Sequence, residues 1–409
     1  MGEQPKLDPY QMPLEDICLL QPLMWEQNEY LPFLARLRDE SPVHWWESDE
    51  VGGFWSLTRY ADIKAADSNH ELFSSEGSIV VNDPDEDFPL PMFIAMDPPR
   101  HDAQRKVVSP SVAPSNLANL ESTIRSRAAT ILDSLPVGEE FDWVDKVAIE
   151  LTTQMLATLF DFPFEDRRKL TRWSDVATAE VESGIVESED QRRAELLECL
   201  EYFTRLWHER ADKPGGFDLI SMLSQGDATK DMDPTTFLGN LILLIVGGND
   251  TTRNSISGGV LGLNLFPDQF QKLKSDHGLI PNMVAEIIRW QTPLSYMRRT
   301  ALADTIIGGK KIRAGDRVLM WYASGNRDST VFEDADKLII DRPNARQHLS
   351  FGFGIHRCMG NRLAEMQLRV LWEEILLRFS HIEVTGDAVP VRSNFVHGYS
   401  KLPVRLHAV

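Results

Sequence analysis

The stretch that decides the fold is Leu-Ser-Phe-Gly-Phe-Gly-Ile-His-Arg-Cys-Met-Gly-Asn-Arg-Leu, residues 349–363. Its glycines permit backbone conformations that are closed to other residues, so they suit a tight loop that approaches a flat partner closely. An apolar pattern of helical period begins directly afterwards, at Leu363. Cys358 therefore stands just ahead of a helix start, where backbone N–H groups and the helix dipole favour a thiolate. A buried, inert cysteine beside an ordinary glycine loop is the alternative.

The composition is that of an ordinary globular protein. The 409 residues are 42% hydrophobic and 25% charged, which is enough for a large core. No repeat or low-complexity tract divides the chain, and the one short linker-like segment, Ala211–Phe217, is too short to separate domains. We therefore expect a single domain over residues 1–409.

Charge and hydropathy exclude several classes of protein. No stretch approaches the roughly 20 apolar residues of a membrane span, and the polar start Met1–Pro13 has no signal-peptide core. These features predict a soluble, cytoplasmic protein without a transmembrane anchor. The net charge of −20 argues against non-specific nucleic-acid binding, and the 3 distant cysteines support neither a disulfide framework nor a CxxC metal site.

The periodicity predicts a mainly α chain with a small β subdomain. Helical spacing is found at residues 31–38, 60–68, 115–135, 145–160, 233–266 and 279–290. Strand-like runs cluster towards the two ends, at residues 43–46, 54–57, 299–307, 311–321, 381–384 and 402–406. Residues 80–96 and 179–189 are proline-bearing or acidic, and we expect loops there, the second one exposed and solvated.

The segment 233–266 carries the longest helical signal, about 50 Å at 1.5 Å per residue. Asp233 suits the N-cap and Pro234 the first helical position. Yet the middle reads Gly-Gly-Asn-Asp-Thr-Thr, residues 247–252. Two interior glycines cost about 1 kcal/mol each relative to alanine, and a buried aspartate is unfavourable unless it is paired. A helix that breaks local rules at its centre indicates a functional site, with a packing notch under a crossing helix as the alternative.

Motifs along the whole chain carry a resemblance to a known family. The cysteine loop fits Phe-Gly-x-Gly-x-His-x-Cys-x-Gly, and Asp-Pro-Pro-Arg-His-Asp-Ala-Gln-Arg at 97–105 and the hexapeptide at 247–252 precede it. Over about residues 20–408 the chain resembles the cytochrome P-450 monooxygenases, particularly the bacterial soluble terminal alkane and fatty-acid hydroxylases. The resemblance implies the cytochrome P-450 fold, a triangular helical prism with a long central helix over the haem. Met359 departs from the family pattern, where small aliphatic residues are commoner.

The resemblance implies a cofactor, haem b, whose iron takes the thiolate of Cys358 as axial ligand. The other cofactor-binding residues that it implies are His101, Arg105, Arg299 and His356 at the propionates, together with Gly248, Phe351 and Gly360. It also implies that Glu286, Arg289 and Arg342 form a buried charge network that holds the cysteine loop. Taken alone, Glu286 and Arg289 are three apart and indicate only a surface ion pair.

The resemblance also implies the reaction, which is insertion of one oxygen atom of O2 into an unactivated C–H bond. Asp250 and Thr251 would deliver protons, a task for which a carboxylate and a hydroxyl beside a loosened helical turn are suited. The subfamily implies terminal, or omega, hydroxylation of medium-chain alkanes or fatty acids. The pocket walls expected by family position, each of which plain core packing explains equally well, are Ile79, Val80, Met92, Leu243, Leu244, Val246, Gly247, Leu294, Tyr296, Met297, Phe395 and Val396.

Electrons must come from another protein, because no flavin- or NAD-binding segment is present. The resemblance implies a ferredoxin and a ferredoxin reductase that pass electrons from NAD(P)H to a monomeric enzyme. Arginines cluster around the cysteine loop in an otherwise acidic chain, at Arg342, Arg346, Arg357, Arg362 and Arg369. We expect Arg346, Arg357 and Arg362 to form a basic docking face. The alternative functions are hydroxylation of a terpenoid or steroid, a peroxide-driven haem enzyme, and a haem sensor without catalysis.

Overall fold

A computed structural model describes residues 8–181, 183–213 and 215–409. The sequence interpretations of the first seven residues, of Glu182 in the acidic connection and of Pro214 in the linker-like segment lie outside the described residues.

Helices make up most of the described chain, as the periodicity predicts. The helices are α1 (Pro22–Glu26), α2 (Tyr30–Glu40), α3 (Tyr60–Ser68), α4 (Arg100–Val108), α5 (Pro114–Asp133), α6 (Glu150–Phe160), α7 (Arg168–Thr178), α8 (Glu189–Ala211), α9 (Leu219–Gln225), α10 (Pro234–Leu265), α11 (Pro267–Ser275), α12 (Ile280–Gln291), α13 (Tyr322–Gly325) and α14 (Asn361–Arg378). A π-helical stretch, Val144–Ile149, leads directly into α6. None of the helices in the described ranges is long and apolar enough to cross a bilayer.

The strands form one larger sheet and three small ones. The strands are β1 (Val43–Trp46), β2 (Phe54–Leu57), β3 (Phe73–Ser74), β4 (Glu140–Asp142), β5 (Met297–Ala301), β6 (Thr305–Ile307), β7 (Lys310–Ile312), β8 (Arg317–Met320), β9 (Phe379–Val384), β10 (Val389–Pro390), β11 (Tyr399–Lys401) and β12 (Pro403–Ala408). The five-stranded sheet has the order β1-β2-β8-β5-β3, in which only β2 and β8 pair in parallel. β4-β12-β9 form a second sheet, and β6-β7 and β10-β11 are hairpins.

The long helix α10 is the centre of the molecule. The carboxylate of Asp233 accepts hydrogen bonds from the backbone N–H groups of Thr235 and Thr236, so it caps the helix as expected. α10 is buried along most of its length and packs against α6, α7, α12 and α14. The helix runs without interruption through residues 247–252. Because α14 starts directly after the cysteine loop, its contact with α10 fixes that loop relative to the hexapeptide.

The connection between α7 and α8 differs from the solvated loop expected over residues 179–189. Ala179 and Val186 are buried, at 6% and 0% exposure, and both belong to an apolar cluster with α7 and α8. Acidic residues Glu189 and Asp190 belong to the first turn of α8, where Ser188 is the N-cap and negative charge is favourable. The last acidic residue of the run therefore begins α8, and the preceding connection is held to the protein by the buried side chains of Ala179 and Val186.

Candidate functional site

The cysteine loop is a tight turn that only glycine can build. Gly352 and Gly354 have φ values of 64° and 66°, and a Cβ atom on Gly354 would lie 2.7 Å from the carbonyl oxygen of Asp67. The backbone N–H of Cys358 donates a hydrogen bond to the carbonyl of Phe351 at 2.7 Å, which closes the turn. Gly360 then caps α14. The loop therefore presents Cys358 from a fixed backbone.

The side chain of Cys358 is surrounded by protein on most sides, but its surface is exposed to a cavity. Burial raises the pKa of this thiol, while the backbone N–H groups of Gly360 and Asn361 and the positive charges of Arg105 and Arg357 act in the opposite direction. Backbone N–H groups at the start of a helix and nearby positive charges stabilise a thiolate, as the position of Cys358 in the sequence predicts.

A cavity of about 1130 Å³ joins Cys358 to the middle of α10, where Gly247, Gly248 and Thr251 line it. A Cβ atom on Gly247 would meet no atom within 4 Å, so this glycine leaves the cavity open. At Gly248 a Cβ atom would lie 2.6 Å from the side chain of Leu156, so close helix packing requires that glycine. The volume exceeds the roughly 300–1000 Å³ of ordinary ligand pockets, so it can hold a flat cofactor and a substrate together.

The cavity walls are largely those expected by family position. Ile79, Val80, Met92, Leu243, Leu244, Val246, Leu294, Tyr296, Met297 and Phe395 line it. Val396 does not appear among the lining residues that the structure describes, because it pairs through its backbone with Leu294 and is buried behind that wall. Phe88, Leu90, Phe93 and Ile242 also line the cavity, although no motif in the sequence marks them.

Asp250 does not border the cavity, unlike its neighbour Thr251. The carboxylate of Asp250 accepts hydrogen bonds from Ser174 at 3.0 Å and from Thr178 at 3.4 Å, and it lies 2.8 Å from the guanidinium of Arg253. Burial raises the pKa of Asp250, and the charge of Arg253 opposes that rise. Since Thr178 lines the cavity, a hydroxyl still connects Asp250 to it.

Two buried histidines stand beside the cysteine loop with unpaired ring atoms. The rings of His101 and His356 lie 4.2 Å apart, and His356 borders the cavity, whereas His101 lies behind it. His101 Nε2 and both ring nitrogens of His356 have no hydrogen-bond partner within the described parts of the chain. Burial lowers the pKa of His101, and burial together with the charge of Arg299 lowers the pKa of His356 to about 2. Buried polar atoms rarely lack partners, so these nitrogens indicate a missing acceptor.

Two arginines border the same part of the cavity. Arg105 donates a hydrogen bond to the carbonyl oxygen of Arg357 in the cysteine loop. Arg299 is nearly fully buried and forms an ion pair with Asp67 at 2.8 Å. With the two histidines, these arginines gather four donor side chains from α4, β5 and the cysteine loop around one end of the cavity.

Comparison with known proteins identifies the family. The cytochrome P450 family model matches residues 130–404. The chain belongs to the cytochrome P450 family. Linalool 8-monooxygenase of Pseudomonas putida is 36% identical over 400 residues, which are 95% of this chain and 98% of that protein. Methyl-branched lipid omega-hydroxylase of Mycobacterium tuberculosis is 32% identical over 97% of this chain and 96% of that protein.

The solved structure of cytochrome P450-153 from Novosphingobium aromaticivorans is 47% identical, with a TM-score of 0.89, and it covers 98% of this chain and 100% of its own. The family identification and the fold class expected from the sequence are therefore confirmed. The chain is a cytochrome P450 monooxygenase, and the P450 family implies a haem with a cysteine thiolate ligand.

The residues around the cavity fit that haem. Cys358 offers the sulfur, Gly247 leaves space beside α10, and Phe351 and Gly360 border the cavity next to the sulfur's loop. The unpartnered ring nitrogens of His101 and His356, with the guanidinium groups of Arg105 and Arg299, are donors of the kind that two propionates accept from. The haem would supply oxygen activation, and these side chains would hold it.

A buried charge network lies beneath the cysteine loop. Glu286 forms ion pairs with Arg289 at 2.8 Å and with Arg342 at 3.0 Å. The side chains of Glu286 and Arg289 are fully buried, and that of Arg342 is nearly so. The spacing of Glu286 and Arg289 alone indicates an ion pair at the surface. In the tertiary structure Arg342 packs onto α12, and the pair is buried instead. Arg289 also donates to the carbonyl of Asn326, whose side chain accepts from the N–H of Leu349.

The arginines around the loop fall into two groups. Arg357 and Arg362 are exposed and border a small crevice that reaches Cys358, and Arg346 is 60% exposed beside Glu365. Arg342 belongs to the buried network, and Arg369 is bound between Glu121 and Glu373 at 3.0 and 2.8 Å. The first group therefore places positive charge at the surface, although Arg346 shares its charge with Glu365 at 3.4 Å.

Two sets of polar residues at the site are not marked by any motif in the sequence. Asp67 on α3 pairs with Arg299, accepts from the hydroxyl of Tyr322 and accepts from the backbone N–H of Phe353. It therefore ties the cysteine loop to β5, yet no local pattern marks it. Glu180 and Arg192 place polar groups in the cavity wall, and of the two only Glu180 belongs to the acidic run.

Proposed function

We propose that this P450 hydroxylates the terminal carbon of medium-chain alkanes or fatty acids, with electrons from a ferredoxin. The observation that carries the proposal is the cavity that connects Cys358 and Thr251 to a long apolar wall. The sequence resemblance to terminal alkane and fatty-acid hydroxylases supports it. So does a relative whose name includes omega-hydroxylase, since omega denotes the last carbon of a chain.

Terminal attack requires positional control by the protein. Primary C–H bonds are stronger than the secondary bonds beside them, so intrinsic reactivity favours the neighbouring carbon. The protein must hold the chain end nearest the reacting centre, and correct placement is worth orders of magnitude in rate. Leu244 and Val246 on α10 and Leu294 and Phe395 on loops are the apolar groups that would confine the chain from several directions.

Proton delivery is assigned to Thr251 and Asp250 in this proposal. The hydroxyl of Thr251 donates to the carbonyl of Gly247 at 3.0 Å, at the point where α10 borders the cavity. Asp250 lies behind it, with a pKa raised by burial and with the Thr178 hydroxyl between it and the cavity. A carboxyl group with a pKa nearer neutrality gives up and regains protons more readily at physiological pH.

A terpenoid hydroxylase is the second candidate. Linalool 8-monooxygenase is 36% identical over nearly the whole chain, and carbon 8 of linalool is a methyl carbon at the end of that molecule. A branched substrate would therefore present a terminal methyl to the same cavity. The peroxide-driven enzyme and the haem sensor are less well supported, because neither needs the proton-delivering groups at 250–251.

Product analysis tests the proposal directly. Purified haem-loaded protein is supplied with NADH, ferredoxin and ferredoxin reductase and with alkanes and fatty acids of rising chain length, with linalool in parallel. We expect the primary alcohol as the main product at one preferred length, and no comparable turnover with peroxide alone. Mainly secondary alcohols, or turnover of linalool only, would contradict terminal hydroxylation of linear chains.

We propose the face formed by Arg346, Arg357 and Arg362 as the ferredoxin docking surface. All three side chains are exposed, and Arg357 and Arg362 border the crevice that reaches Cys358, in a chain whose net charge is −20. An acidic partner would be drawn to that local positive charge, and salt would slow its association. The monomeric state, the single domain and the cytoplasmic location expected from the sequence stay predictions.

Charge reversal tests the docking surface. The double variant Arg346→Glu with Arg362→Glu is expected to slow reduction by ferredoxin at low salt by about tenfold or more, since steering raises association rates by roughly 10–10³. Substrate affinity should not change. Arg313→Glu, at an exposed position in the turn between β7 and β8, is the matched control. Equal reduction rates in the double variant and the control would refute the docking surface.

A further inference from the structure

Four aromatic rings form a continuous buried stack from the cavity wall to α2. Tyr296 lines the cavity, and its ring lies 4.7 Å from Trp321. Trp321 lies 5.7 Å from Trp25 at an interplanar angle of 12°, and Trp25 lies 4.2 Å from Tyr30 at 11°. All four side chains are at most 3% exposed. Each step is within the range of direct aromatic contact, so the π-systems adjoin one another.

The far end of the stack is a tyrosine that is hydrogen-bonded to a base. Tyr30 Oη lies 3.1 Å from His397 Nε2, and His397 Nδ1 lies 2.6 Å from the carbonyl oxygen of Gln291. A carbonyl can only accept, so Nδ1 carries the imidazole proton and Nε2 accepts from the phenol. Burial lowers the pKa of His397 to about 4 and raises that of Tyr30 to about 12, so both groups are neutral at physiological pH.

This arrangement matches the chemistry of radical formation on tyrosine. Tryptophan and tyrosine are the most easily oxidised aromatic side chains, and a phenol that loses an electron becomes strongly acidic. A buried tyrosine therefore oxidises readily only when a neighbouring base takes its proton. A second aromatic cluster, formed by Phe160, Phe162, Trp173, Tyr202 and Phe203, contributes none of the residues that line the cavity. The stack from Tyr296 to Tyr30 combines two features: Tyr296 lines the cavity, and Tyr30 is hydrogen-bonded to a base, His397.

The stack also begins close to the expected position of the haem. Tyr296 directly precedes β5 and is three residues from Arg299, which is about 10 Å at the rise of a strand. Arg299 is one of the side chains that would hold the haem.

We propose that Tyr296, Trp321, Trp25 and Tyr30 conduct oxidising equivalents away from the haem when no substrate is bound to take the oxygen atom. One electron passes from Tyr30 through the two tryptophans and Tyr296 to the oxidant formed at the haem from O2 or peroxide, which is reduced by one electron. The phenolic proton moves to His397 Nε2, which leaves a neutral tyrosyl radical and an imidazolium. A thiol or ascorbate in solution then returns one electron to the radical, and His397 Nε2 returns the proton to the phenolic oxygen, which restores Tyr30 and the neutral imidazole. This proposed electron transfer requires only that the chain binds haem as a member of the cytochrome P450 family, and it does not depend on which substrate the enzyme hydroxylates.

Electron paramagnetic resonance tests the proposal. Haem-loaded, substrate-free protein is mixed with hydrogen peroxide and freeze-quenched, and the loss of haem absorbance is followed in parallel. We expect a tyrosyl radical in the wild type, loss of that signal in Tyr30→Phe and at least a tenfold smaller signal in Trp321→Phe. Both variants should bleach their haem severalfold faster than the wild type.

Tyr60→Phe is the matched control, because Tyr60 is also buried and its hydroxyl donates to the carbonyl of Gln347 at 2.7 Å, but its ring packs on Phe332 outside the stack. It should behave as the wild type does. Tyr30→Phe removes one hydroxyl only, so it keeps the test valid if Trp321→Phe fails to fold. The proposal is overturned if the wild type gives no tyrosyl radical, or if Tyr30→Phe keeps the wild-type signal and bleaching rate.

Discussion

Replacement of Glu286 by glutamine is the sharpest test of how the cysteine loop is held. The substitution keeps the shape of the side chain and removes its charge. In the structure the carboxylate accepts from Arg289 Nε and Nη2 at 2.8 Å each, from Arg342 Nε at 3.0 Å and from the N–H of Ile339 at 2.9 Å. Glu286→Gln therefore leaves two buried guanidinium groups without a counter-charge.

The size of the effect follows from that burial. The side chain of Arg289 is 0% exposed and that of Arg342 is 3% exposed, so water cannot replace the lost carboxylate. Removal of one partner from a buried ion pair costs about 3–5 kcal/mol. At about 1.4 kcal/mol per tenfold, the folding equilibrium should fall by roughly 10²- to 10⁴-fold. Since Arg289 is linked through Asn326 to the start of the cysteine loop, haem retention should fall as well.

Two measurements check this expectation. Urea unfolding gives the free energy of unfolding, and transfer of haem to excess apomyoglobin gives the rate of haem loss. Glu198→Gln is the control, because it makes the same chemical change at a half-exposed carboxylate that pairs with Lys169 at 2.6 Å. An exposed pair is worth about 0–1 kcal/mol. If Glu286→Gln loses no more stability than this control and keeps its haem equally long, the network does not hold the loop.

Further variants probe the cavity and α10. Thr251→Ala removes a hydroxyl at the cavity and should lower product formed per NADH by about tenfold or more, with peroxide released instead, because positioned proton donors contribute roughly 10²–10⁴-fold. Gly247→Val fills open space, so turnover of long chains should fall severalfold while the carbon monoxide spectrum keeps its wild-type form. Glu180 lines the cavity, and Glu180→Gln should raise kcat/KM for a fatty acid relative to the alkane of equal length, since it removes a carboxylate that would repel the acid. Asp233→Ala removes the cap of α10 and should cost about 0.5–2 kcal/mol in urea unfolding at pH 7. Hydrogen bonds from Thr235 and Thr236 lower the pKa of Asp233 to about 2, so its contribution is complete above about pH 4 and is lost as the pH falls through about 2.

Local patterns identify some elements to the residue. The strand-like runs at 43–46 and 54–57 are β1 and β2 without a shift, because both are rich in aromatic residues and follow turn-forming residues. The long helix begins at Pro234, beside the expected cap. By contrast, α8 begins within the acidic run, at Glu189, and a charged sequence does not show where a connection ends and a helix begins.

The candidate site could be predicted only in part, for a geometric reason. Cys358 and Thr251 lie within local motifs, and the resemblance to the family indicated most of the apolar wall residues. Successive residues of a helix point about 100° apart, so adjacency in sequence could not show that Thr251 borders the cavity while Asp250 contacts α7. Asp67 meets its partners from distant segments of the chain, and no local pattern contains that information.

The central claim is that Cys358 provides a thiolate ligand to a haem in this cavity. The absorption spectrum of the reduced, haem-loaded protein under carbon monoxide tests it most directly, because thiolate ligation shifts the Soret band strongly to the red. We expect that band in the wild type and its loss in Cys358→His, with haem still bound. An ordinary, unshifted band in the wild type, or a red-shifted band that survives the substitution, would contradict the account.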